Sequence, residues 1–443
     1  MIQAAQFILG ISLLIVLHEF GHFLPAKIFG TRVSKFYLFF DYKFSLFKKK
    51  IGETVYGIGW IPLGGYVKIE GMVDESMDTD GLQGEPEPWE FRAKPGWQRL
   101  IILTGGVFMN FLTAYVIYMG LLMNYGKDYL PNEVLTNGLW VQEQGLELGL
   151  QHGDKILAIG GSEIEDFGKI PTEILLSGGS NITVDRNGQI IELPIHSEAI
   201  AKMIQEKSFR RIVLPRLPYV VESFREGSTA EAAGLLAGDS IYALNGTEMA
   251  FFDQYKSAMK DYKGTAVNLS FVRDGEHMNL DIPVSEEGMI GAFVNMTFNN
   301  YYPIRTKKYT FSESFGGAWK ELVDQLSFYV RQFKLIFDTD TGAYKDVGGF
   351  IGIAKMYDAQ WDWSAFWNRT AFLSIMLGFL NILPIPALDG GHVVFTIAEM
   401  ITGKKPSIKV LEYAQMAGFF LLLALVIFAN GNDFYKLFQQ WFG

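Results

Sequence analysis

The chain of 443 residues has no cysteine. That excludes disulfides, cysteine-ligated zinc sites and thiol catalysis, so any bound metal must be held by His, Asp or Glu. Histidine is scarce too, at six residues, so two of them four positions apart carry information. A positive charge excess is also missing. The net charge is −10, which argues against a nucleic-acid partner. The N-terminus lacks the basic stretch and the Ala-x-Ala cleavage pattern of a signal peptide. Its apolar run therefore reads as a retained transmembrane helix.

What is present is apolar. Hydrophobic residues make up 49% and aromatics 15%, and the mean hydropathy of +0.15 suits a mixture of membrane and soluble parts. The length allows about three domains. Ile2 to Leu17 is almost wholly apolar and leads straight into His18-Glu19-Phe20-Gly21-His22. In a helix, positions i and i+4 share a face one turn apart, so His18 and His22 can grip one Zn²⁺ with Glu19 beside it as a general base. The bland alternative is a polar contact between transmembrane helices. Ionisable groups at membrane depth are costly and functional by default, which favours the metal reading.

Three further segments are long and apolar enough to span: Leu100 to Asn124, Phe366 to about Pro384, and Val410 to Ala429. Lys27, Arg32, Lys35, Lys43, Lys48, Lys49 and Lys50 follow the first span, and Lys404, Lys405 and Lys409 precede the last. The positive-inside rule puts both loops in the cytoplasm. Both termini and the long middle section then lie outside. His18 comes roughly 24 Å along the first helix, within the membrane and nearer the cytoplasmic face.

Tyr56 to Lys68 is apolar, glycine-rich and too short to span. It reads as a β-hairpin, either re-entrant or a small cytoplasmic one. Residues 70–95 are acidic and polar and read as a loop. In the middle section, Gly149-Leu-Gln-His-Gly-Asp-Lys-Ile repeats 85 residues later as Gly234-Leu-Leu-Ala-Gly-Asp-Ser-Ile. Each copy continues into short strands and an Arg-Asn-Gly or Arg-Asp-Gly turn. From Phe311 to Phe337, apolar residues recur at three- and four-residue steps. This predicts an amphipathic helix, lying on the membrane surface or packed under the second repeat.

Two histidines do not complete a catalytic zinc site. Asp389, in Asn381-Ile-Leu-Pro384-Ile-Pro386-Ala-Leu-Asp389-Gly390-Gly391-His392, is a carboxylate embedded in apolar sequence and is the best third ligand. His392 competes. His152, His196 and His277 fall in the soluble modules.

The pairing of His-Glu-x-x-His with a later Asn-x-x-Pro-x-x-x-Leu-Asp-Gly resembles the site-2 protease family of intramembrane zinc metalloproteases. The repeat is similar to PDZ domains. The resemblance implies a multi-domain membrane protein. Its parts would be a four-span α-helical core (residues 1–25, 99–124, 366–392 and 410–430), a membrane-associated β-hairpin within 26–98, tandem PDZ domains at 127–212 and 213–300, and a membrane-surface amphipathic region at 308–363. It implies Zn²⁺ as cofactor, with His18, His22 and Asp389 as ligands and Glu19 as catalytic base. Asn381 and Pro384 would lie near the scissile bond. Gly64, Gly65 and Tyr66 would belong to β-structure that pairs with an unwound substrate. The implied partners are single-span membrane proteins, such as a trimmed anti-sigma factor or remnant signal peptides, in the bacterial inner membrane. Two departures stand out: Gly106-Val-Phe-Met-Asn110 lacks the family's usual proline, and Phe350 stands where proline is common after the PDZ modules.

Overall fold

The computed structural model describes residues 2–72, 84–206 and 212–442. Residues 73–83 of the acidic loop expected at 70–95 lie outside them. The chain forms two compact units, one of residues 1–127, 308–337 and 344–443, the other of residues 128–307 and 338–343.

In the first unit, α1 (Ile2–Ile28) carries the His-Glu-x-x-His motif and α2 is Gly96–Asn124. Between them lie β1 (Val33–Phe40), β2 (Phe47–Ile51), β3 (Thr54–Ile58) and β4 (Ile61–Ile69). The expected hairpin at 56–68 does not form. The sheet order is β2-β3-β1-β4, so β1 lies between the two strands that were expected to pair. β1 runs parallel to β3, with Tyr37 opposite Gly57, and antiparallel to β4, with Tyr37 opposite Tyr66. The Gly59–Trp60 link crosses the end of β1, where both amides bond to β1 carbonyls. The true hairpin is β2–β3, turning at Gly52 with φ +61°.

α1 and α2 cross where Gly21 faces Gly105. A β-carbon at either position would overlap the other's backbone carbonyl, the close approach that small residues permit between membrane helices. The amphipathic helix forms as expected, as α3 (Phe311–Phe337). It packs within this unit: Ala318, Leu322 and Tyr329 cluster with Ala114, Tyr118 and Leu121 of α2 and with Ala371 and Ile375. Phe311, Trp319 and Phe337 remain exposed.

The segment expected as one helix over 366–392 is broken. α4 is Trp363–Asn381, α5 is Asp389–Thr402, and α6 is Ile408–Phe442. Pro384 and Pro386 explain the break, because proline lacks the N–H and disfavours helix in the residue before it. By length and hydropathy α1, α2 and Ile408–Gln439 of α6 can each cross a membrane, and α4 does not reach that level.

In the second unit the 85-residue repeat is visible as structure. Lys155–Ile159 with Asn181–Arg186 and Gln189–Pro194 matches Ser240–Leu244 with Ala266–Arg273 and Glu276–Pro283. The repeated aspartates have the same task. Asp154 and Asp239 are each 1% exposed. Each accepts two bonds from an arginine at the end of a neighbouring strand, Arg186 and Arg273, and one from a nearby backbone amide. Val213–Pro215 pairs with Leu139–Val141, so this strand closes the first repeat, a few residues beyond the expected boundary at 212.

Candidate active site

The i, i+4 spacing on α1 brings Nε2 of His18 and Nε2 of His22 to 3.3 Å from each other. Asp389, the first residue of α5, places Oδ2 3.4 Å from both. These three ligand atoms form a group compact enough to hold a metal ion; His392 lines the same cavity but is not part of that group.

The surroundings orient the rings. Nδ1 of His22 donates to the carbonyl of Ile102 at 2.8 Å, which leaves the Nε2 lone pair facing Asp389. His18 is held by Asn110, whose amide nitrogen lies 3.1 Å from Nδ1 while its own Oδ1 is buried without a hydrogen-bond partner. Turning that amide by half a revolution puts Oδ1 against an Nδ1–H, so His18 also presents Nε2. Two imidazole lone pairs and a carboxylate oxygen then converge with no proton between them. Asp389 Oδ2 is buried and lacks a hydrogen-bond partner. Three acceptors so placed fit a cation, and two nitrogens with one oxygen suit Zn²⁺ with a fourth position left over.

Gly106 makes the space. A β-carbon there would lie 2.6 Å from His18 Cε1 and closer still to His22 Nε2. Sequence reading quoted Gly106 and Asn110 only as a motif. Their i, i+4 spacing, the same as that of the two histidines, was the signal that they share the facing side of α2.

Glu19 points to the sheet. β4 has a strand neighbour on one side only, and the backbone N–H of Val67 is close enough to the Glu19 carboxylate to act on it electrostatically. Gly65 lies beside it: a β-carbon there would meet Glu19 Cγ at 3.5 Å and Ile15 Cγ2 at 2.5 Å. Of the other residues singled out in the sequence, Asn381 ends α4 with its amide 3.4 Å from His18 Nε2. Tyr66 lines the cavity, and its hydroxyl donates to Asp41. Gly64 adjoins Phe40 at φ +153°. Pro384 is exposed in the α4–α5 turn and does not line the cavity.

That cavity has a volume of ≈ 440 Å³ and holds both the donor group and Glu19. Its wall includes Ala387, a non-glycine residue at φ +83° two positions before Asp389. Leu388 lines the cavity as well, so the end of the α4–α5 turn, but neither of its prolines, forms part of the wall.

Known proteins resemble this chain over almost its whole length. The regulator of sigma E protease of Haemophilus influenzae is 29% identical, covering 98% of each chain. The regulator of sigma-E protease RseP of Escherichia coli is 28% identical over the same share. A Neisseria meningitidis protein that carries a zinc metalloprotease name is 29% identical over 97% of this chain and 98% of its own. Residues 6–425 match the profile of Peptidase family M50, which spans the donor group and both units. The chain therefore belongs to peptidase family M50, the site-2 protease type of zinc metalloendopeptidase.

Proposed function

We propose that the chain cleaves a transmembrane segment of single-span membrane proteins, within the membrane. The observation that carries this is the placement of the His18–His22–Asp389 group and Glu19 against an edge strand, among helices of membrane length. A transmembrane helix hides its peptide carbonyls in its own hydrogen bonds, so cleavage requires local unwinding and new partners for the freed groups. Strand addition to β4 supplies those partners and holds the chain extended beside Glu19.

His18, His22 and Asp389 are the residues that would hold Zn²⁺. The bound ion supplies Lewis acidity to the scissile carbonyl and acidifies water to a pKa of about 7. Glu19 accepts a proton from the attacking water and delivers it to the leaving amine. Asn381 and Tyr66 border the path of the substrate, with Gly64 and Gly65 keeping β4 close. α4 serves as a fourth span, shielded by α3, and both termini lie outside a bacterial inner membrane.

The repeats act as tandem PDZ domains outside that membrane. Their most economical role is a size filter that admits substrates already trimmed; capture of a new C-terminus is the second reading. The sigma-E regulatory names of two relatives point to a trimmed anti-sigma factor as substrate. The deciding experiment is Glu19→Gln in the full chain. It is expected to retain zinc and to lose cleavage of a membrane-spanning reporter, and retained turnover would overturn the reading.

A further inference from the structure

Peptide hydrolysis at neutral pH turns one neutral amide into two ions, a carboxylate and an ammonium. Formed at membrane depth, both are costly until they reach water. The cavity beside Glu19 has one lysine or arginine on its wall, Lys35. Its ammonium donates to the Tyr66 hydroxyl at 3.3 Å and lies 5.7–5.8 Å from the centres of the Tyr66 and Tyr37 rings. Among the described residues no carboxylate lies within ion-pair distance of it. Asp41 is reached only through Tyr66, whose hydroxyl donates to Asp41 Oδ1 at 2.8 Å. Lys35 thus keeps N–H donors and a net charge to offer, on a platform of two aromatic rings that fixes where the charge lies.

Its height follows from the strand register. Gly65 lies against Glu19 and pairs with Leu38, whereas Lys35 pairs with Lys68. Three residues of strand place Lys35 roughly 10 Å from the level of Glu19. The direction is toward the end of α1, where Val33 packs on Ala26. Under the orientation proposed above, that is toward the cytoplasm.

We infer that Lys35 is a binding site for the carboxylate of the newly cut N-terminal product, held through a charge-assisted hydrogen bond and passed toward water. This rests on the protease reading. The test uses the full zinc-loaded chain with a short apolar peptide, ending either in a free carboxylate or in the corresponding amide, as inhibitor of reporter cleavage. The parent is expected to prefer the acid. In Lys35→Met that preference should fall at least tenfold, Lys35→Arg should restore it, and the amide should bind within twofold in all three. The metal contributes to acid binding in every variant alike, so the change between variants reads Lys35.

An unchanged preference in Lys35→Met overturns the inference. So does equal weakening of acid and amide, which would make Lys35 only a prop for Tyr66. Failure of the parent itself to cleave the reporter overturns the protease reading, and the product site with it.

Discussion

A β-carbon on Gly106 would overlap Nε2 of His22 and come within 2.6 Å of His18 Cε1. The only side chain compatible with two histidines at this crossing of α1 and α2 is therefore a hydrogen. Gly106→Ala is expected to tilt the rings out of register with Asp389. Zinc affinity should fall about 10–100-fold, as for other changes that disturb ligand orientation. Chelator competition measures this, and parental affinity would count against a metal role for the pair.

Gly65 does for the sheet what Gly106 does for the metal group. A methyl there meets Ile15 Cγ2 at 2.5 Å and the Tyr37 carbonyl at 2.8 Å, so β4 must move away from Glu19. A displacement of an ångström at a reacting centre can lower kcat/KM by about 10²-fold. Gly65→Ala is expected to show that loss with zinc content unchanged. A matching loss of zinc would instead mean that the helices had moved.

Asp239 is buried at 1% exposure and receives two bonds from Arg273 at 2.6–2.7 Å. Asp239→Asn leaves the guanidinium facing a neutral group. Breaking a fully buried pair costs about 3–5 kcal/mol; here Arg273 keeps some contact with water, so about 2–3 kcal/mol is expected. Hydrogen exchange on the full chain should show the loss in Ser240–Leu244 and Ala266–Arg273. The equivalent strands of the first repeat, which rely on Asp154 and Arg186, should stay protected.

His152 ties pH to the second unit. Its Nδ1 accepts from the Val141 amide at 3.2 Å. Burial holds the imidazole below its ordinary value and the Arg216 charge adds to this, while Asp253 opposes it. An unfolded chain then takes up the proton first, so stability is full above the ordinary value near 6.5 and declines as the pH falls below it. Protection of Leu139–Val141 against hydrogen exchange should drop between pH 7.5 and 5.5, and His152→Gln should flatten that dependence.

Much of the site was legible because its signals are local. Helical periodicity alone places His18 and His22 on one face, and the repeat declared itself through its Gly-Asp turns. Asp389 was reached as a carboxylate in apolar surroundings, and His392 was weighed against it; the compact donor group contains Asp389. The hairpin expected at 56–68 failed for a nonlocal reason. Alternation and turn residues identify β3 and β4, but nothing within that stretch tells that Val33–Phe40 will come between them. Arg186 and Arg273 were legible only as the first residues of the Arg-Asn-Gly and Arg-Asp-Gly turns; their pairing was not, because each lies more than thirty residues from its aspartate.

By itself, then, the sequence determined the chemistry available: no thiols, six imidazoles, an i, i+4 histidine pair at the end of a membrane-length apolar run and a duplicated module. Period, composition and length express themselves over a few turns of chain. The tertiary structure alone decided which distant groups meet. It set Gly106 and Asn110 against the histidines, broke the 366–392 segment so that Asp389 could open a new helix, and laid the edge of β4 along Glu19. Those outcomes depend on close approach between segments tens to hundreds of residues apart, where one methyl group or one strand order changes the result.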